Sequence, residues 1–173
     1  MKLLRQETIS KIKVQMNFTQ LSKLLVIFSM FIVHASFGQT NQTEVEIFQE
    51  AFGLEKKVAV ANFMNLGESA EAFWTIYDEY EVERKILGKE RIQIIADYAK
   101  SYPEISDEVI MELFKRTQAV RASFDKLQET TFKKMAKEVG IGKAAQFWQL
   151  EGYFSSVIQA NIYTQIPFIG EFK

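Results

Sequence analysis

Residues 68–102 contain no proline, and apolar side chains recur there at intervals of seven. The positions that share this spacing are Phe73, Tyr80, Leu87 and Ile94. A repeat of seven places these side chains on one face of an α-helix, whereas the side chains of a strand alternate with a period of two. We therefore expect one helix of about 50 Å over residues 68–102, at a rise of about 1.5 Å per residue.

A second long helix is expected over residues 106–139. Ser106 suits the N-cap, because its hydroxyl can accept a hydrogen bond from the first turn. The seam positions that follow alternate between spacings of three and four, at Ile110, Leu113, Thr117, Val120, Phe124, Leu127 and Thr131. Glu112 precedes Arg116 by four residues, which is the favourable order for an ion pair. Since only a short segment with Pro103 separates the two long helices, they should lie antiparallel.

Two further amphipathic helices are expected at the ends of the mature chain. Thr43 and Glu46 form a capping box, and the helix they start should run to about Asn65. Its apolar stripe consists of Ile47, Phe48, Ala51, Phe52, Val58, Ala59 and Phe63. The last helix should end before Pro167, with the apolar tail 166–169 docked on the bundle. The expected fold is all-α, an elongated four-helix module with two long antiparallel helices in a single domain, residues 39–173.

The second and fourth helices begin with the same pattern. Each start has a glycine followed by Phe-Trp-x-(Ile/Leu) and then by a further aromatic residue, and the chain's only two tryptophans fall in these copies. The residues of the pattern are Leu66, Gly67, Phe73, Trp74 and Tyr80 in the first copy, and Gly142, Phe147, Trp148 and Phe154 in the second. We interpret the copies as a packing device with both tryptophans in the core, and a ligand platform is the alternative.

Residues 1–38 have the order of a secretory signal, with basic residues, an apolar run, small residues and then a polar segment. The run over residues 24–33 is shorter than the roughly 20 apolar residues that a membrane span requires. We expect cleavage after Gly38, with Met16 as an alternative start, so that the protein is periplasmic or otherwise exported. It would then contact the membrane only in transit. A retained membrane anchor is the alternative.

The chain has no cysteine, and its only histidine, His34, lies in the expected signal. The mature chain would therefore lack the side chains for disulfides, for His-ligated zinc and for Ser-His-Asp catalysis. An enzyme that uses two carboxylates needs a cleft between them, and a thin helical hairpin is not expected to offer one. These considerations predict a protein that is not an enzyme and needs no metal or cofactor.

Charge narrows the expected partners. Removal of residues 1–38 takes away five of the 21 basic and one of the 22 acidic residues, which leaves 16 basic and 21 acidic residues. The resulting net charge of about −5 argues against nucleic acid, because phosphate binding relies on a basic surface. Candidates for contact with a client protein are Tyr77, Arg84, Arg91 and Tyr98. A solvated helix edge, with the guanidinium groups left outside, is the alternative for the two arginines.

These features resemble the Spy/CpxP group of periplasmic proteins, in which each paired motif has the form Leu-Thr-x-x-Gln. The corresponding stretches are Leu-Gly-Glu-Ser-Ala at 66–70 and Ile-Gly-Lys-Ala-Ala at 141–145, which keep the leading aliphatic residue but lack the threonine and the glutamine. The likeness covers residues 59–169. It implies an elongated helical cradle, as a homodimer, that binds unfolded or envelope proteins without ATP.

A closer likeness is to small exported helical proteins that carry Phe-Trp-x-x-Tyr-x-x-Tyr, Gln-Leu-Glu and Gln-Ile-Pro. Here these motifs stand at 73–80, 149–151 and 165–167. Such proteins are identified as hypothetical or as sensors linked to extracytoplasmic-function sigma factors. Two functions follow from the resemblance: a chaperone with many clients in envelope stress, or a dedicated regulator or structural partner of one envelope signalling protein.

Overall fold

A computed structural model describes residues 42–102 and 104–171, with side chains from residue 49 onward, and shows an all-α fold. Its helices are α1 (Gln42–Phe63), α2 (Ala70–Ser101), α3 (Asp107–Glu138) and α4 (Ile141–Gln165), with a short 3₁₀ helix at Gly67–Ser69 before α2. The two described ranges contain no strand.

Some of the sequence predictions lie outside the described residues. They are the signal peptide with His34, the cleavage after Gly38, the start at Met16, the Thr43 capping box side chains and the break at Pro103. Among the helices that the structure describes, none combines the length and the apolar character needed to span a membrane.

The predicted long helices are confirmed to within two residues at each end. Each has 32 residues and is therefore about 48 Å long. The N-cap is also confirmed, because the Ser106 hydroxyl accepts a hydrogen bond from the backbone N–H of Val109 at 3.4 Å. Arg116 Nη1 lies 3.6 Å from Glu112 Oε1, as the acid-first spacing indicated.

The helices alternate in direction along the bundle. Arg116 of α3 bonds Asp97 of α2, and Lys134 pairs with Glu79, so residue numbers rise in opposite directions along these two helices. Helix α1 is likewise antiparallel to α2, since Lys57 pairs with Asp78 while Gln49 bonds the backbone at Lys85. The short connection from α3 brings α4 back alongside α2.

The main core is a cluster of aromatic rings from α2 and α4, against which residues of α1 and the C-terminal half of α3 pack. The Phe147 ring stands edge-on to Phe73, Tyr77 and Tyr80, with ring centroids 5.6, 5.8 and 5.5 Å away. Edge-to-face pairs add to the stabilisation that burial alone provides. The phenylalanines of the two Phe-Trp copies, Phe73 and Phe147, therefore pack against each other and hold the start of α2 against the start of α4.

The tryptophans do not both belong to this core. Phe147 is 3% exposed, whereas Trp148 is 54% exposed, so the prediction that Trp148 is buried was wrong. Successive side chains on a helix point about 100° apart, so a residue next to a core position such as Phe147 can lie outside the buried face. Trp74 is half-buried and packs edge-on against Phe73 and Tyr77.

The glycines of the two copies also differ. Gly67 has φ 52° and Gly140 has φ 90°, a left-handed backbone that other residues seldom adopt, whereas Gly142 lies inside α4 without a positive φ. In the second copy, the turn is therefore made by a glycine two residues before the one in the motif.

Two predictions for the ends of the chain need correction. In α1, Val58 and Phe63 are exposed, and the buried residues follow one another at intervals of three and four: Gln49, Phe52, Lys56, Val60 and Met64. The C-terminal tail is only partly docked. The Tyr98 hydroxyl donates to the carbonyl of Pro167 at 2.7 Å, but Phe168 and Ile169 are exposed.

Candidate functional site

A buried lysine joins three helices next to the aromatic core. The Lys56 side chain of α1 is 1% exposed, and its Nζ lies 2.6 Å from Glu81 Oε1 of α2. The same nitrogen lies 2.6 Å from Glu151 Oε1 and 2.8 Å from Glu151 Oε2 of α4. Removing charges from water is costly unless they are paired, and here one ammonium group faces two carboxylates.

Two neighbouring side chains complete this network. Arg84 Nε donates to both carboxylate oxygens of Glu81, at 2.9 and 3.0 Å. The Tyr80 hydroxyl donates to Glu151 Oε2 at 2.6 Å, and its pKa is raised well above the ordinary value by burial and by the adjacent Glu151. Two cations thus balance two anions. We call Lys56, Tyr80, Glu81, Arg84 and Glu151 the buried charge network.

The network leaves some buried polar atoms without a hydrogen bond. They are the Tyr77 hydroxyl, Arg84 Nη2 and Glu151 Oε1, the last of which lies near Lys56 Nζ but in a direction unsuited to a hydrogen bond. Such atoms cost stability. A buried ion pair adds little net stability over apolar packing, but the loss of one partner would leave an unpaired buried charge, so we assign the network a structural role.

An inner cavity of about 100 Å³ lies beside the network and is bounded by all four helices. Its polar lining includes Gln49, Arg84, Arg91 and Glu151, and the rest of its wall is mostly apolar, with Phe52, Phe124 and Phe154 among the lining residues.

A larger groove of about 390 Å³ opens between the C-terminal half of α2, the N-terminal half of α3 and the end of α4. We call it the apolar groove. Its lining is Arg91, Ile94, Ile95, Tyr98, Ile105, Ile110, Leu113, Phe114, Thr117, Val120, Arg121, Gln159, Ile162, Tyr163, Ile166 and Ile169. Together with α4, the two long helices form a groove that a thin helical hairpin was not expected to offer, but no aspartate or glutamate of the described residues lines it.

The groove is charged at one end only. Because α2 and α3 are antiparallel, Arg91 and Arg121 lie together at that end, while Tyr98 and Ile105 lie at the other. The Arg91 guanidinium stacks over the Phe124 ring at 4.5 Å. Its pKa is lowered by burial and by the nearby charges of Arg121 and Arg84. Neither Arg91 nor Arg121 forms an ion pair with a carboxylate of the described residues.

The four predicted client-contact residues are divided between different environments. Tyr77 is buried in the aromatic core and presents no surface to a client. Arg84 belongs to the buried charge network with its side chain 12% exposed, so the idea of a guanidinium left outside was wrong for it. Arg91 and Tyr98 both line the apolar groove, about two turns apart on α2.

Sequence reasoning missed the charge network, although a signal was present. Lys56 lies four residues after Phe52 and four before Val60, both of which are buried. Glu151 likewise stands between Phe147 and Phe154 at core spacing. Charges of opposite sign at core positions of different helices indicate a buried ion pair, because one such charge alone would not be tolerated.

Comparison with known proteins adds no identity: no family model, curated protein or solved structure matches this chain. Within the described residues, no three histidine, cysteine, aspartate or glutamate side chains are grouped so that they could hold a metal ion. The apolar groove is the candidate site that we develop below, because its lining is mainly apolar and it is open to solvent.

Proposed function

We propose that the protein is an exported, non-catalytic binding protein that holds apolar segments of unfolded or envelope proteins, without ATP. The observation that carries this proposal is the apolar groove, whose walls are mainly aliphatic and aromatic and whose rim includes exposed apolar side chains. Apolar surface of this extent is stabilised by contact with apolar side chains of another molecule.

Further support comes from the residues at the groove's surface. Phe114, Tyr163 and Ile169 line the groove and are exposed. They can contact a client without any rearrangement of the bundle. The secretory signal and the resemblance to the Spy/CpxP group also favour capture of proteins in the cell envelope, where ATP does not drive folding.

The proposal is tested by diluting a chemically denatured, unrelated globular protein into buffer with or without this protein and following light scattering. The double variant Phe114→Ser/Ile169→Ser should require at least about tenfold more protein for equal protection, since each buried apolar side chain contributes about 1.5–3 kcal/mol. The control is Val82→Ser/Ile86→Ser, which changes two exposed side chains of α2 outside the groove. Equal protection by the two double variants would refute the groove as the binding surface.

A second experiment distinguishes a chaperone with many clients from a protein that has one dedicated partner. Cross-linking in the cell envelope, with and without unfolding stress, should capture many proteins at the groove if the protein is a chaperone. A single partner in fixed stoichiometry would instead support a dedicated regulator or structural partner of one envelope protein.

A further inference from the structure

The apolar groove has a direction, because its cations stand at one end. Arg91 of α2 and Arg121 of α3 line that end, and the remaining lining toward Tyr98 and Ile105 is almost entirely apolar. Two adjacent guanidinium groups repel each other unless an anion lies between them. No carboxylate of the described residues forms an ion pair with either arginine, and the groove is open to another molecule.

The size of the groove suits a short extended segment. Arg91 and Tyr98 are seven residues apart on α2, which corresponds to about 10 Å along the helix. An extended chain advances about 3.3 Å per residue, so about three residues span this distance. Their apolar side chains can enter the groove while the backbone faces water along the open side.

A main chain cannot easily continue past the arginine end within the bundle. There the groove meets the inner cavity, with which it shares Arg91 and Ile162. That cavity measures only about 100 Å³ and borders the paired charges of Lys56 and Glu151. Backbone N–H and C=O groups entering it would lose water without new partners, which costs free energy. A chain that ends at the arginines avoids this cost without having to turn out of the groove into solvent.

We infer that the apolar groove binds an apolar protein C-terminus, whose free carboxylate pairs with Arg91 and Arg121 while the preceding side chains fill the groove. Guanidinium and carboxylate groups match in charge and geometry and can form two parallel hydrogen bonds. The stacking of Arg91 on Phe124 holds its guanidinium in place for such a pair. This inference rests on the proposed function and specifies which segments of a client the groove selects.

The test uses one short apolar peptide, fluorescently labelled at a soluble N-terminal linker, prepared with either a free C-terminal carboxylate or an amide. Fluorescence anisotropy should give a Kd about 10- to 100-fold lower for the acid than for the amide, the range expected for hydrogen bonds to a charged group. In the variant Arg91→Gln/Arg121→Gln this preference should fall to less than about threefold, with the amide's Kd nearly unchanged, because the apolar contacts remain.

Arg116→Gln is the matched control, since Arg116 lies on the outer face of the two long helices and pairs with Glu90 and Asp97. It should keep the full preference for the acid. Equal affinity of the wild-type protein for acid and amide would overturn the inference and leave the proposed function standing. Failure to bind either peptide would count against both. Stronger binding of octanoate than of the acid peptide would overturn the inference in favour of an acyl chain.

Discussion

The two ends of the bundle use the same helix α2 in different ways. At the end that we call the aromatic end, Phe73, Tyr77 and Phe147 interlock with residues of α1 and the last turns of α3. At the groove end, the buried cluster is smaller, with Ile94, Leu113 and Val120 as its buried members, and a groove of about 390 Å³ remains. A single heptad stripe thus gives a sealed core at one end and an open one at the other.

The charges differ in the same way. Beside the aromatic end, Lys56, Arg84, Glu81 and Glu151 are buried and paired. At the groove end, the ion pairs of Arg116 lie on the outside, while the guanidinium groups that face the groove have no carboxylate partner among the described residues. The comparison predicts that the aromatic end contributes most of the stability, and it leaves the groove end as the candidate binding surface.

The largest expected effect is that of removing the buried cation. Lys56→Met leaves Glu151 with only the Tyr80 hydroxyl, and it should lower the free energy of unfolding by about 3–5 kcal/mol in urea titrations. The control is the next residue, since Lys57 forms an exposed pair with Asp78, and Lys57→Met should cost less than about 1 kcal/mol. If the free energy of unfolding falls by less than about 1 kcal/mol in both variants, the buried charge network does not stabilise the aromatic end.

A second pair of sequence neighbours, Phe147 and Trp148, tests the aromatic core itself. Phe147→Ala should cost about 3–5 kcal/mol of unfolding free energy, because it leaves a cavity among three rings. Trp148→Ala removes an exposed side chain and should stay within about 0.5 kcal/mol. The same urea titrations measure both. A large loss in Trp148→Ala would mean that the exposed ring is covered in solution, for instance in a dimer.

The helices were predictable because their signals are local. The heptad positions Phe73, Tyr80 and Ile94 are all buried, and Ser106 caps α3 as its position indicated. These features depend only on spacing along one helix and on hydrogen bonds within its first turn. They do not require knowledge of how the helices pack.

The cavities were not predictable in this way, because they depend on distances between helices. The spacing of Tyr98 and Leu113 places each on an inward face, but it does not say how far α4 stands from them. The same limit explains the error at Trp148. The Phe-Trp pattern indicates an apolar face, but the rotation of α4 against the other helices decides how much of that face is buried, and Trp148 lies outside it.

A third prediction compares the two ends along α3. Met135→Ala at the aromatic end should cost about 4 kcal/mol, because the side chain is fully buried among tightly packed neighbours. Leu113→Ala should cost about 2 kcal/mol, since one side of Leu113 already faces the groove. Urea titrations of the two variants give the difference directly. Equal losses would show that the groove end is as tightly packed as the aromatic end.

The smallest expected effect concerns the outer ion pair of the groove end. Burial by itself raises the pKa of Asp97, but hydrogen bonds from Arg116 and Gln93 outweigh it and hold the pKa below its usual value. A depressed carboxyl pKa stabilises the fold above the unfolded-state pKa of about 3.9, and this contribution is lost as the pH falls through the folded-state pKa. Asp97→Asn should therefore cost less than about 1 kcal/mol at neutral pH.

The pH dependence separates this contribution from a packing effect. In urea titrations, the difference between wild type and Asp97→Asn should shrink as the pH is lowered below about 3.9. Glu112→Gln serves as the control. Glu112 is exposed and lies 3.6 Å from the same Arg116, which is a long distance for an ion pair, so its replacement should change the free energy of unfolding by nearly zero at every pH. A loss in Asp97→Asn that is unchanged at low pH would show that the residue acts through packing. The groove end would then depend less on its outer charges than the contacts of Arg116 indicate.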